Sequence, residues 1–111
     1  MKVICAPVSV QAMDRLNFNR NIEGDLIEMY LNDSEYIRLN ELGYFSLINK
    51  CLNKMIDDFE DEQIYHEDLI EFLKLTFKFL EANKGISHIL KKIIDLANLA
   101  LEKNTAVFFF F

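Results

Sequence analysis

Carboxylates are the main side chains of this sequence that could do chemistry, and they crowd into one stretch. Eight of the fifteen residues from 57 to 71 are acidic, and no lysine or arginine lies between Lys54 and Lys74. Such side chains can bind cations, act as acid–base pairs or attract a basic partner. The acids of this stretch are Asp57, Asp58, Glu60, Asp61, Glu62, Glu67, Asp68 and Glu71.

A metal site would need ligands at a recognisable spacing. A calcium-binding loop alternates Asp or Asn, carries a central Gly and ends in a bidentate Glu. Residues 57–62 have neither the Gly nor the alternation, and His66 is the one imidazole beside them. Cys5 and Cys51 are too few for a zinc site or a disulfide framework, and we expect both to be buried and reduced. We therefore predict no metal and no cofactor.

Catalysis is disfavoured for similar reasons. Cys51 and His66 could form a nucleophile–base pair, but Cys51 falls on the apolar face of a predicted helix, where nothing lowers its pKa. Exposed carboxylates lack the burial that separates the pKa of an acid from that of a base. The sequence also has no phosphate-binding loop, dinucleotide fingerprint or zinc spacing. We predict that the protein is not an enzyme.

The charge distribution excludes other classes of partner. Residues 21–71 hold fourteen of the eighteen acids and three of the twelve bases, which gives this segment a net charge of −11 within a chain of −6. An acidic surface does not suit nucleic acid or an anionic membrane. Residues 3–10, after Lys2, are mostly apolar, but the stretch is short and is broken by Pro7. We expect a strand there rather than a signal peptide, and hence a cytoplasmic protein.

The elements that must position these side chains follow from hydrophobic periodicity. We predict one α+β domain over residues 1–111, predominantly α-helical, with five to six helices and a small sheet that pairs the N- and C-terminal strands. The last four residues are phenylalanines and would be an aggregation hazard if exposed, so we expect residues 105–111 to be a buried strand against Lys2 to Cys5.

Three- and four-residue spacing of apolar side chains places the helices between these ends. Asp25 with Glu28 resembles a capping box and predicts a helix start. Polar residues 60–64 predict a break that folds two helix ends together, so the carboxylates should share one end of the molecule. The predicted helices cover residues 10–16, 25–31, 34–42, 45–59, 67–83 and 88–103.

Part of the acidic stretch has a local explanation. Glu67, Asp68 and Glu71 lie near a predicted helix N-terminus, where anions are favoured. Asp57 and Asp58 lie near a predicted helix C-terminus, where anions are disfavoured, so they favour a functional explanation. A merely solvated face is the alternative to a docking surface.

Tyrosines accompany the acids. All four lie in or beside the acidic half of the sequence, which suits a protein-binding surface because Tyr buries area at low entropic cost. The alternative is that half of them are core residues with one polar tip. The predicted partner-binding residues are Asp57, Asp58, Glu60, Asp61, Glu62, Tyr65, Glu67, Asp68 and Glu71.

In size, acidity, helical content and lack of catalytic motifs, the chain resembles the small acidic immunity proteins of bacterial toxin systems, including those of contact-dependent inhibition. The resemblance implies a cytoplasmic protein that neutralises one cognate toxin, a basic protein partner, with a nuclease as the expected kind. Two alternatives stay open. One is a phage-encoded inhibitor of a nucleic-acid-binding defence complex, and the other is a structural or adaptor subunit that oligomerises through its apolar surface.

Overall fold

Five α-helices and a four-stranded antiparallel sheet make up the fold, in a computed structural model that describes residues 2–111. The strand order is β2-β1-β4-β3, so the two edges of the sheet are β2 and β3. A short 3₁₀ turn, Lys84–Ile86, joins the last two helices. The elements are β1 (Lys2–Pro7), α1 (Val10–Asn17), β2 (Leu26–Leu31), α2 (Asp33–Glu41), α3 (Tyr44–Leu52), β3 (Asp61–Tyr65), α4 (His66–Ala82), α5 (Ser87–Lys103) and β4 (Ala106–Phe110).

The two ends of the chain pair as predicted. Val3 lies opposite Phe110, and Ile4 lies opposite Phe109, in the antiparallel ladder of β1 and β4. The predicted α+β class and the terminal pairing are therefore confirmed. The sheet is larger than predicted because β2 adds to the free side of β1 and β3 adds to the free side of β4. The phenylalanine tail thus lies in a central strand.

Side-chain alternation along the central strands gives the sheet two apolar faces. Ile4, Val107 and Phe109 belong to the main core, together with the buried faces of α2 to α5. Cys5 and Phe108 point to the opposite face, where Met13 and Leu16 of α1, among others, pack against them. Because both faces of the sheet are covered, the sequence of β4 is continuously apolar and does not alternate between apolar and polar residues.

The helix predicted over residues 25–31 is wrong, since Leu26–Leu31 form β2 and pair with β1. Asp25 is not a helix cap. Its buried carboxylate accepts hydrogen bonds from the guanidinium of Arg15 and from the backbone N–H of Ile22. The capping box lies further along, where Asn32 and Glu35 bond reciprocally at the start of α2.

The helix predicted over residues 45–59 ends early, at Leu52. Asn53 takes the left-handed conformation, with φ of 56°, which terminates a helix and which Asn tolerates better than most residues. The Asn49 side chain then bonds both the N–H and the carbonyl of Ile56 and fixes the departing chain. Cys51, predicted to be buried on the apolar face of this helix, lies on α3 and is exposed.

The break predicted over residues 60–64 is also wrong. Asp61–Tyr65 form β3, which pairs along its length with β4, and α4 begins directly afterwards at His66. The polar residues of this segment occupy an edge strand, where charged side chains are common.

Candidate protein-binding surface

A short turn between α3 and β3 carries the first group of predicted site residues. We call residues 57–60 the acidic loop. The N–H of Glu60 donates to the carbonyl of Asp57 at 3.2 Å, and the N–H of Asp58 donates to the Asp57 carboxylate at 2.7 Å. The carbonyl of Glu60 accepts from the N–H of Phe111 at 3.2 Å. These bonds tie the loop to the end of the central sheet.

Phe59 stands at the tip of the acidic loop and is the most exposed large apolar side chain among the described residues. Its relative exposure is 92%, and its backbone is left-handed, with φ of 64°. A bulky residue in this conformation is uncommon and costs about 1–2 kcal/mol. The loop therefore presents an aromatic ring to solvent in a conformation held by its backbone hydrogen bonds.

Lys2 neutralises part of the loop. Its ammonium group pairs with the carboxylate of Asp58 and lies 4.5 Å from the ring centroid of Tyr36 and 5.7 Å from that of Phe111. Burial, and then the nearby Asp58 and Asp57, raise the pKa of the Tyr36 hydroxyl. The acidic stretch contains no lysine or arginine in sequence, but the fold supplies Lys2 from the other end of the chain.

Glu62 is half-buried and has a structural role. Its carboxylate accepts from the N–H of Met55 at 2.9 Å and from the N–H of Gln63 at 3.0 Å. Tyr65 is also half-buried, and the Lys54 ammonium lies 6.0 Å from its ring centroid. These two predicted site residues therefore contribute less free surface than their sequence position indicated.

A second acidic group lies beyond the other end of β3. Glu67 and Asp68 occupy the first turn of α4, and Glu71 follows one turn later. The length of β3, ~13 Å for four residue steps, separates them from Asp61. The carboxylates thus flank the β3 edge as two groups instead of meeting between two helix ends. The predicted acids that are exposed are Asp57, Asp58, Glu60, Asp61, Glu67 and Glu71, whereas Asp68 is half-buried.

The thiols and the buried hydroxyl pair do not assemble with these carboxylates. Cys5 is fully buried under α1, and burial, with a smaller effect of Glu28, raises its pKa to about 12. The buried hydroxyl of Tyr44 bonds Thr76 at 2.9 Å, and burial raises the pKa of that hydroxyl. Within residues 2–111, no group of three or more His, Cys, Asp or Glu side chains is placed to hold a metal ion.

Sequence reasoning missed the most distinctive member of this surface. The three- and four-residue spacing that predicts a helix over residues 45–59 places Phe59 on the buried face of that helix. The available signal was its setting, since it is flanked by acids on both sides in Asp57-Asp58-Phe59-Glu60-Asp61. An amphipathic helix that ended in such a run would have buried one phenylalanine among four carboxylates.

Comparisons with protein-family models, curated proteins and solved structures find no match to this chain. None of the helices described in residues 2–111 has the length and apolar character needed to cross a bilayer.

Proposed function

We propose that this chain is a protein-binding inhibitor that docks on a basic protein through the acidic loop and the adjoining β3 edge. The observation that carries the proposal is Phe59, an aromatic side chain 92% exposed and placed between carboxylates. Aromatic anchors dominate the free energy of many protein interfaces. Charged neighbours such as Glu60 and Asp61 steer the encounter and select the partner.

A nuclease toxin is the kind of partner that this chemistry fits. An enzyme that holds nucleic acid concentrates Lys and Arg where it binds phosphates. Carboxylates spaced along a strand edge can occupy such a site as phosphate substitutes, while Phe59 enters an apolar or stacking pocket used by a base. On this proposal the protein acts in the cytoplasm, without a cofactor, as do the immunity proteins that it resembles.

The adaptor alternative uses the phenylalanine tail and the wide apolar helices as an interface, and the burial of the tail removes the first of these two supports. Phe108 and Phe109 are buried inside the chain itself, at 4% and 0% exposure, so they are not available to a partner. A phage-encoded inhibitor of a nucleic-acid-binding complex would use the same acidic surface, and the identity of the captured partner distinguishes the two.

The experiment begins with capture of a partner on the immobilised chain and its identification by mass spectrometry. The partner is then purified and assayed for nucleic-acid cleavage with and without the chain. A triple charge reversal, Glu60→Lys, Asp61→Lys and Glu67→Lys, should abolish inhibition. Asp58 and Glu62 are left intact because they pair with Lys2 and with backbone N–H groups.

A matched control reverses three exposed acids elsewhere, Asp14→Lys, Glu23→Lys and Glu41→Lys, and should inhibit as the wild type does. Equal inhibition by both triple variants would show that the acidic surface does not bind the partner. Capture of a partner that carries no cationic site would remove the nuclease assignment.

A further inference from the structure

The opposite edge of the sheet, β2, is open. Beyond its ladder with β1, the backbone of Leu26–Leu31 has no hydrogen-bond partner among residues 2–111. A groove of about 450 Å³ runs beside it, between residues 27–30 of the strand and Lys92, Asp95, Leu96 and Leu99 of α5. An unpaired edge with a groove along it is where a further strand can add.

The two edges of the sheet differ in how they are protected. β3 carries Asp61 and Glu62, and the Glu62 side chain is bonded across to the backbone of Met55. β2 contains no proline, lysine or arginine and only one charged residue, Glu28, and its Ile27 and Tyr30 are half-exposed at 49% and 53%. Charged side chains and proline are the usual means of preventing edge pairing, so β2 has the character of a strand that pairs.

We propose that β2 pairs antiparallel with β2 of a second copy of this chain and forms a continuous eight-stranded sheet. Directly opposite residues of an antiparallel pair lie on the same face, so the two-fold axis must pass through a residue position. With the axis at either Glu28 or Met29, the two β2 strands overlap over nearly their whole length. The Glu28 position sets two carboxylates directly opposite each other, which is unfavourable. The Met29 position sets each Glu28 opposite the Tyr30 of the other copy.

The Met29 register is self-complementary. Tyr30 already donates a hydrogen bond to Glu28 of its own strand at 3.3 Å, and the second copy offers the same carboxylate across the interface. Ile27 comes to lie opposite Leu31 of the other copy, which extends the apolar contact.

The groove-side charges on α5 are complementary in the same way. Lys92 and Asp95 are both exposed and line the groove three residues apart on one helix face. In a two-fold dimer each copy contributes one lysine and one aspartate beside the interface, in opposite order along it. An acidic or a basic foreign strand would meet one like charge here, so a second copy is the occupant favoured.

This pairing is independent of the proposed inhibitor function. The acidic loop adjoins β3, and three strand spacings of roughly 4.8 Å separate β3 from β2. Each copy in the dimer would keep its acidic surface free.

The first test is sedimentation velocity on the full chain from about 10 to about 500 µM, a span that covers weak edge-strand dimers. We expect a concentration-dependent dimer. Ile27→Lys should raise its dissociation constant at least about tenfold by placing a charge on the edge. Phe77→Lys is the matched control, because Phe77 is 50% exposed on α4, and it should dimerise like the wild type.

A second test reads the register without relying on the lysine variant. Glu28→Cys and Tyr30→Cys are made separately in a Cys5→Ala, Cys51→Ser background, because Cys5 lies directly opposite Glu28 in the β1–β2 ladder and would pair with the new thiol within one chain. Opposite residues have Cα atoms about 4.5–5.5 Å apart, within disulfide range. We expect the mixture of the two variants to form cross-linked dimers on oxidation and each variant alone to form few.

A chain that sediments as a monomer throughout the concentration range would overturn the proposal. Cross-linking of Glu28→Cys alone as efficient as that of the mixture would also overturn it. The same holds if the Ile27→Lys variant folds and dimerises with the dissociation constant of the wild type.

Discussion

The buried carboxylate of Asp25 connects three parts of the chain. It accepts two hydrogen bonds from Arg15, at 2.8 and 2.6 Å, and one from the N–H of Ile22 at 3.0 Å. The backbone carbonyl of Asp25 accepts a further hydrogen bond from the N–H of Val8 at 2.9 Å. The end of α1, the following loop and the start of β2 are thereby held together. The hydrogen bond with Arg15, and then that with Ile22, lower the pKa of Asp25 from 3.8 to about 2.

Because this pKa is lowered in the folded state, the ionised carboxylate stabilises the fold. Its contribution is complete above the ordinary pKa, near 4, and is lost as pH falls through about 2. We expect Asp25→Asn to lower the free energy of unfolding at pH 7 and to flatten its pH dependence between about 4 and 2. Urea unfolding across this range measures both effects.

Asp14→Asn is the control for that series. Asp14 lies on α1 beside Arg15 in sequence, is exposed, and its side chain has no hydrogen-bond partner among residues 2–111. Its unfolding curves should follow the wild type, and an equal effect of both substitutions would mean that the Arg15 pair contributes nothing specific.

Phe59 gives a second expectation for a single residue. Glycine has no Cβ clash in the left-handed region, so Phe59→Gly should leave the free energy of unfolding unchanged or raise it by up to about 1 kcal/mol. Phe18→Gly is the comparison, since Phe18 is also exposed but has φ of −104°, where glycine gains nothing and should destabilise. Thermal unfolding of both variants measures these changes. A large loss of stability for Phe59→Gly would show that the Phe59 ring packs against the rest of the protein.

Whole elements were predictable where local and long-range signals agreed. The terminal strands were foreseeable because β1 is rich in β-branched residues and residues 105–111 could not remain exposed. The long helices α4 and α5 kept their apolar spacing to their ends. β2 was missed because Asp25 and Glu28 imitate a capping box, and only the Arg15 contact, formed through the tertiary fold, shows what Asp25 does.

The central position of β4 makes its buried phenylalanine critical for folding. Phe109 is fully buried and packs edge-on against Phe72 at 6.1 Å between ring centroids. Phe109→Ala should cost about 3–5 kcal/mol, a large share of the roughly 5–15 kcal/mol of a typical domain. Phe110→Ala, at the half-buried neighbouring position, should cost clearly less.

Deletion of residues 108–111 should prevent stable folding. A truncated chain that unfolds in chemical denaturant with the midpoint of the wild type would refute this.

At the scale of the molecule, the acidic side chains were identifiable from sequence but their arrangement was not. Charge counting located the stretch 57–71, because composition does not depend on the fold. The strand that divides this stretch, the pairing of Asp58 with Lys2 and the exposure of Phe59 all depend on contacts between residues far apart in sequence. The sequence therefore shows which acids are close together along the chain, but only the fold decides which of them are exposed and lie on one surface.

The most direct measurement of the central claim is the association rate of the purified chain with its captured partner, followed by stopped flow as a function of salt. A binding surface built on Glu60, Asp61 and Glu67 should associate fastest at low ionic strength and slow steeply as salt screens the charges. The triple reversal of these acids should lose that salt dependence, and Phe59→Ala should keep it while dissociating at least about tenfold faster. An association rate that is independent of salt, and equal for the wild type and the triple reversal, would contradict the account.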